Sequence, residues 1–139
     1  MIVNNAGISH FKSFVECDET SFIETLQVNL FSSYWILKEF LPSMLSKNHG
    51  HIISISNSAG RTQSEHKLYI QITKHFLKNL KGLFGFCHMS DTSTSKFAMV
   101  GMMESLDHEL NLAGYDGVIT THVYSAAFNS ALYSKSRNL

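Results

Sequence analysis

The chain has 139 residues and a mass of 15.6 kDa, room for one domain and not for two. Apolar residues make up 44 % and charged residues only 16 %, against roughly 25 % in an ordinary soluble chain, which excludes a disordered polyelectrolyte. Eleven Lys and Arg balance eleven Asp and Glu, so no basic field points to nucleic acid; two cysteines, Cys17 and Cys87, make neither a disulfide framework nor a zinc site and fit a reducing compartment.

Residues 1–4 predict a short buried strand, and Asn4-Asn5-Ala6-Gly7 predicts the loop that leaves it. The start lacks the basic flank and apolar core of a signal peptide. It has the look of a chain that begins inside a structural element, so an N-terminal truncation is expected. Residues 8–18 are irregular and end at Asp18, a good N-cap. A helix is predicted over 19–47 from Phe22, Ile23, Leu26, Leu30, Phe31, Tyr34, Leu37, Leu41 and Leu45, with Val28, Trp35, Ile36, Phe40 and Met44 widening the apolar stripe. A helix apolar on several faces is expected to bury several faces, against a sheet and a partner subunit. Pro42 is expected to kink or break it.

Asn48-His49-Gly50 stops the helix, and residues 51–56 (HIISIS) predict a parallel strand covered on both faces. A second helix is predicted over 92–113 through Phe97, Val100, Met103, Leu106 and Leu110, with a third strand over 117–124. Strand, helix, strand, helix, strand is α/β wiring with a parallel sheet. Residues 61–91 break this rhythm: 31 residues stand where a strand-to-helix loop usually has ~2–6. Lys67, Lys74, Lys78 and Lys81 alternate there with large apolar residues, which would make a basic amphipathic helix. The stretch reads as an atypical insertion with no evolved role; contact with a membrane surface is the alternative, without a span, since no apolar run approaches the ~20 residues one needs.

These residues resemble the short-chain dehydrogenases/reductases. Asn4-Asn5-Ala6-Gly7 is similar to the family's NNAG signature, and Val28-Asn29 to its helix asparagine. The run from Gly50 to Gly60 is similar to the strand and loop of its catalytic serine. Ser95-Lys96-Phe97-Ala98, with Gly101 and Glu104-Ser105-Leu106, is similar to the helix that carries YxxxK. FLPSML, NHGHI and SKFAMVGMMESL are most similar to its retinol and 17β-hydroxysteroid dehydrogenase branch. The resemblance implies a single partial domain over 1–139, part of a Rossmann-like doubly wound parallel sheet. It implies NAD or NADP as cofactor and a lipid-like alcohol or ketone as substrate.

In such an enzyme a tyrosine phenol exchanges a proton with the substrate oxygen. A lysine one helical turn later lowers the phenol pKa and binds the nicotinamide ribose. A strand-end serine positions the substrate oxygen, and the asparagine holds a relay water. Carried over by motif, Asn29, Asn57, Thr92 and Lys96 are the candidate catalytic residues, and Asn4, Asn5, Ala6, Gly7 and Lys96 the candidate cofactor contacts. Two of these depart from the pattern: Thr92 stands at the tyrosine position and Asn57 at the serine position. Ser125 replaces the proline after the last strand, and the GxxxGxG phosphate loop is absent from these residues. The spacing alone leaves bland readings open: an ordinary turn at 4–7, a satisfied buried amide at Asn29, and a helix N-cap region residue at Thr92. No histidine pair has metal-ligand spacing, so no metal site is expected.

Three functions compete: an oxidoreductase for lipid-like alcohols, a catalytically inactive relative or fragment that forms a homodimer through the helices at 19–47 and 92–113, and a membrane-surface interaction protein. The expected setting is intracellular and cytoplasmic, with endoplasmic reticulum or lipid droplets as the associated membranes.

Overall fold

β-branched residues recur in three short runs, and these pair as one parallel sheet. Its strands are β1 (Ile2–Asn4), β2 (Gly50–Asn57) and β3 (Val118–Ser125), in the spatial order β1-β2-β3. The structure, a computed structural model, describes residues 1–57 and 88–125, with the side chains of Asn57, Tyr124 and Ser125 outside that description. In register, Ile52 stands between Ile2 and Thr120, and Ser54 between Asn4 and His122. Side chains alternate between faces, so Ile52 and Val118 look toward the helices while Val3, Ile119 and Val123 stand exposed on the opposite face.

The first helical stretch has three parts: α1 (Glu19–Leu26), a π-turn (Gln27–Phe31) and α2 (Ser32–Lys47). Asp18 caps α1 by accepting the Ser21 N–H at 2.8 Å. Of the two outcomes expected at Pro42, a break does not occur: α2 runs through it to Lys47. The carbonyl that a proline orphans lies four residues back, on exposed Lys38, where water can bond it. The irregularity falls instead at the π-turn around Asn29; such single turns are frequent at functional sites.

The buried face of this stretch also differs from the predicted stripe. Ser21, Thr25, Asn29, Ser33 and Leu37 are buried at four-residue steps, whereas Trp35 is 66 % and Phe40 54 % exposed. Small polar residues let α1 and the π-turn approach α3 (Ser90–Leu112) closely. The apolar core lies between α2, α3 and the sheet: Leu37, Ile52, Met99, Met103, Leu110 and Val118.

The end of α2 is clamped to the start of β3. Asn48 takes the left-handed conformation (φ 42°) and its Oδ1 accepts the Gly117 N–H at 3.1 Å. A β-carbon on Gly117 would lie 1.7 Å from the Asn48 carbonyl oxygen, so only glycine fits there. The predicted insertion at 61–91 lies outside the described residues up to 87; Ser90 and Asp91, assigned to it from sequence, belong to α3. Among the described residues no helix is long and apolar enough to cross a membrane.

Candidate active site

The C-terminal ends of β1 and β2, the π-turn and the first turns of α3 meet at one place. Asn4 is buried at the end of β1, and its side-chain amide has no hydrogen-bond partner among the described residues. Asn5, Ala6 and Gly7 follow as an exposed loop. Asn29 ties that loop down: its Oδ1 accepts the Ile8 N–H at 2.7 Å, and its Nδ2 donates to the Ile8 carbonyl and the Ser95 hydroxyl, both at 3.0 Å. Both Asn29 N–H groups are thus used within the protein, which leaves one Oδ1 lone pair for a water.

Lys96 reaches the same place from α3. Its ammonium donates to the Ile55 carbonyl at 3.3 Å. A β-carbon on Gly7 would lie 3.4 Å from Asn29 Oδ1 and 3.6 Å from Lys96 Nζ, so the loop's missing side chain keeps the space beside these two groups open. Burial pushes the Lys96 ammonium below the ordinary lysine value.

Thr92 is the third residue of α3 and is buried. Its hydroxyl lies 3.3 Å from Asp91 Oδ1 and 3.5 Å from the Ile8 carbonyl. The site therefore brings Gly7, Asn29, Thr92 and Lys96 together. Asn57 closes β2 beside Ser125 in register, but its side chain lies outside the described residues.

Sequence reasoning passed over four residues that hold this arrangement. Ser95 bridges the Asn29 amide to the Thr92 carbonyl, to which it donates at 2.8 Å. Asp91, 2 % exposed, accepts from Thr25 Oγ1 at 2.8 Å, from the Thr92 amide at 2.6 Å and from the His10 amide at 3.4 Å. The signal for Thr25 was present: Ser21, Thr25, Asn29 and Ser33 repeat every four residues. Nothing in the sequence pairs His10 with Asp91, which lie 81 residues apart.

Burial alone would raise the Asp91 carboxyl, but the bonds from Thr25, Thr92 and His10 outweigh it and hold the group below its ordinary value of 3.8. A carboxylate lowered on folding adds stability above its unfolded value, and loses it as pH falls through the folded one. Asp91→Asn is therefore expected to flatten the acid limb of the chain's stability profile. Urea unfolding in steps from pH 6 downward would show it; an unchanged acid limb would mean that Asp91 does not carry this charge in the folded state.

With this geometry established, likeness to known proteins is informative. The family model for short chain dehydrogenase matches residues 1–81. Retinol dehydrogenase 10 of Homo sapiens is 33 % identical over 137 residues, covering 99 % of this chain and 34 % of that protein. The Xenopus tropicalis protein of the same name is 32 % identical over the same length. The chain thus spans about a third of the length of these curated relatives. A metagenomic short-chain oxidoreductase solved in complex with NADP superposes with a TM-score of 0.64 at 25 % identity, over 92 % of this chain and 46 % of that one. A short-chain dehydrogenase from Streptomyces avermitilis shares the fold, with a TM-score of 0.70 at 22 % identity over 95 % of this chain and 40 % of that one. The motif order, the parallel α/β sheet and the matching family model lead to one conclusion: this chain belongs to the short-chain dehydrogenase family and stands closest to its retinol dehydrogenase branch.

Proposed function

We propose that this chain carries the ribose-facing end of a dehydrogenase site that takes NAD or NADP and a retinol- or steroid-like alcohol or ketone. The observation that carries this reading is the convergence of Gly7, Asn29 and Lys96. Lys96 makes one hydrogen bond among the described residues, so its remaining N–H groups suit ribose hydroxyls. The unpartnered amide of Asn4 fits a polar ligand at the same strand end. Lys96 and the Asn4–Gly7 loop would hold the nicotinamide ribose, and Asn57 would face the substrate oxygen. When bound, the nicotinamide supplies the hydride or takes it. The relatives' name and the NADP in the neighbouring structure support this choice of substrate and cofactor class. Thr92 supports a further element: the chain as it stands is inactive in turnover, because a short, weakly acidic hydroxyl replaces the phenol.

The half-site can be tested without the rest of a nucleotide fold. Nicotinamide mononucleotide is expected to bind weakly, with Kd of about 1 mM. It should move the amide resonances of Gly7, Ile55, Ser95 and Lys96. Lys96→Ala should abolish those shifts. Equal shifts in the variant, or none in the wild type, would sink the reading.

A homodimer through the faces of α1, α2 and α3 is part of the same proposal. Exposed Ile23, Phe31, Tyr34, Trp35, Phe40 and Phe97 support it. Trp35 packs edge-on against Tyr34, with ring centroids 5.0 Å apart, and presents a ready aromatic anchor. Trp35→Glu is expected to weaken self-association at least about thirtyfold, as loss of a ~2 kcal/mol hot spot requires. Sedimentation velocity over a concentration series reads this out, and a wild type that stays monomeric at high concentration refutes the dimer.

A further inference from the structure

Residues 8–17 have no regular secondary structure, and the ring of His10 is one of the points that fasten them, beside Ile8 at Asn29 and Lys12 at Asp18 and Ser21. Its Nδ1 lies 3.1 Å from Thr25 Oγ1 and 3.4 Å from Asp91 Oδ2, and its Nε2 lies 3.3 Å from Glu24 Oε2. Two carboxylates from two different helices therefore face the two ring nitrogens. The Thr25 hydroxyl has one proton and three acceptors within its reach, the Ser21 carbonyl at 3.0 Å, Asp91 at 2.8 Å and His10 Nδ1 at 3.1 Å. A neutral imidazole has only one N–H, so it donates to Asp91 or to Glu24 and turns a lone pair toward the other. Only the imidazolium donates to both carboxylates.

We infer that His10 is a proton-operated clasp: as imidazolium it fastens residues 8–17 to α1 through Glu24 and to α3 through Asp91, and the clasp loosens when the proton leaves. Asp91 Oδ1 also holds the Thr92 amide, and Ile8 is held by Asn29, so the state of the clasp reaches the candidate site. The loop backbone is consistent with being held from outside: Phe11, next to His10, sits at φ 52°, a region that costs energy for a bulky residue.

Among the described residues, other charged groups near the clasp have partners of their own. Lys12 is committed to Asp18 at 2.5 Å and to the Ser21 hydroxyl at 2.9 Å. Burial, then the charges of Asp91 and Asp18, push the Cys17 thiol up, so it stays neutral throughout the range in which imidazoles exchange protons. Glu16 accepts from Ser13, and His88 lies within electrostatic range of Glu16. His88 is thus the second imidazole whose titration must be separated from that of His10.

The test is amide exchange and chemical shift on the ¹⁵N-labelled 139-residue chain from about pH 5.5 to 8, the range in which imidazoles exchange protons. Corrected for base catalysis, protection of the Ile8 and His10 amides should fall roughly three- to tenfold as pH rises, the size of one net hydrogen bond lost. The Thr92 amide shift should titrate with the same midpoint as the His10 ring protons. His10→Gln should abolish the Thr92 titration and His88→Gln should leave it intact. The wild-type midpoints decide the matter even where His10→Gln does not fold. A Thr92 amide that is flat with pH, or that follows His88, overturns the clasp.

Discussion

Incubated with NAD or NADP and a retinol- or steroid-like alcohol, the purified 139-residue chain is expected to form no NADH or NADPH above the buffer blank. Two independent features lead there. These residues hold no glycine-rich turn to place backbone N–H groups around a pyrophosphate. Thr92, which the motif resemblance sets at the position of the proton donor, has its hydroxyl turned to Asp91 and the Ile8 carbonyl. A positioned acid or base contributes ~10²–10⁴ in rate, and an aliphatic hydroxyl cannot supply that near neutral pH. Thr92→Tyr alone should therefore fail, because the dinucleotide still does not dock. Fusing a phosphate-binding half upstream, removing residues 67–89 and changing Thr92→Tyr together should yield measurable turnover. NAD(P)H fluorescence is the assay. Saturable micromolar binding with turnover by the unaltered chain would show that neither feature matters.

The fold was legible because parallel strands announce themselves as short β-branched runs and because the motifs occur in family order. Ile2–Asn4, Gly50–Asn57 and Val118–Ser125 lie within a residue or two of their predicted positions. What stayed hidden was polar. Apolar periodicity assumes that a helix packs through its large residues, yet here the packed face is Ser21, Thr25, Asn29 and Ser33, and Trp35 and Phe40 look outward. The π-turn has no sequence signature of its own; it follows from the need to aim Asn29 at Ile8 and Ser95 at once. His10 and Asp91 escaped for a different reason. Each is an unremarkable loop or helix-start residue until the fold closes 81 positions between them. Lys96 and Asn29 were legible only through the resemblance, since a lone lysine and a lone asparagine on helices carry no signal of their own.

Asn29→Leu is expected to destabilise the chain by about 3 kcal/mol, more than a surface polar change would. Leucine has the same branched skeleton as asparagine and is bulkier, so no cavity opens and the loss would come from unpaired polar groups with some overpacking added. Asn29 is 1 % exposed and answers three partners: the Ile8 N–H, the Ile8 carbonyl and the Ser95 hydroxyl. Each partner left unpaired costs roughly 1–3 kcal/mol when buried. Ser95 keeps its bond to the Thr92 carbonyl, and Ile8 is only half-buried, so water can reclaim part of that cost. That places the sum near the lower end. Asn29→Asp separates the acceptor side of this amide from its donor side. It keeps an acceptor for the Ile8 N–H, loses both donors, and sets a carboxylate beside the Gly7 loop near Lys96. The Lys96 ammonium would offset part of its cost, so Asp should lie between Asn and Leu, and its deficit should grow with added salt as the ion pair is screened. Urea midpoints at constant slope measure all three chains. Asn29→Leu within 0.5 kcal/mol of wild type, a threshold set by ordinary surface changes, would mean that the loop after β1 is not held through this amide. The joining of Gly7 to Lys96 would then need another cause.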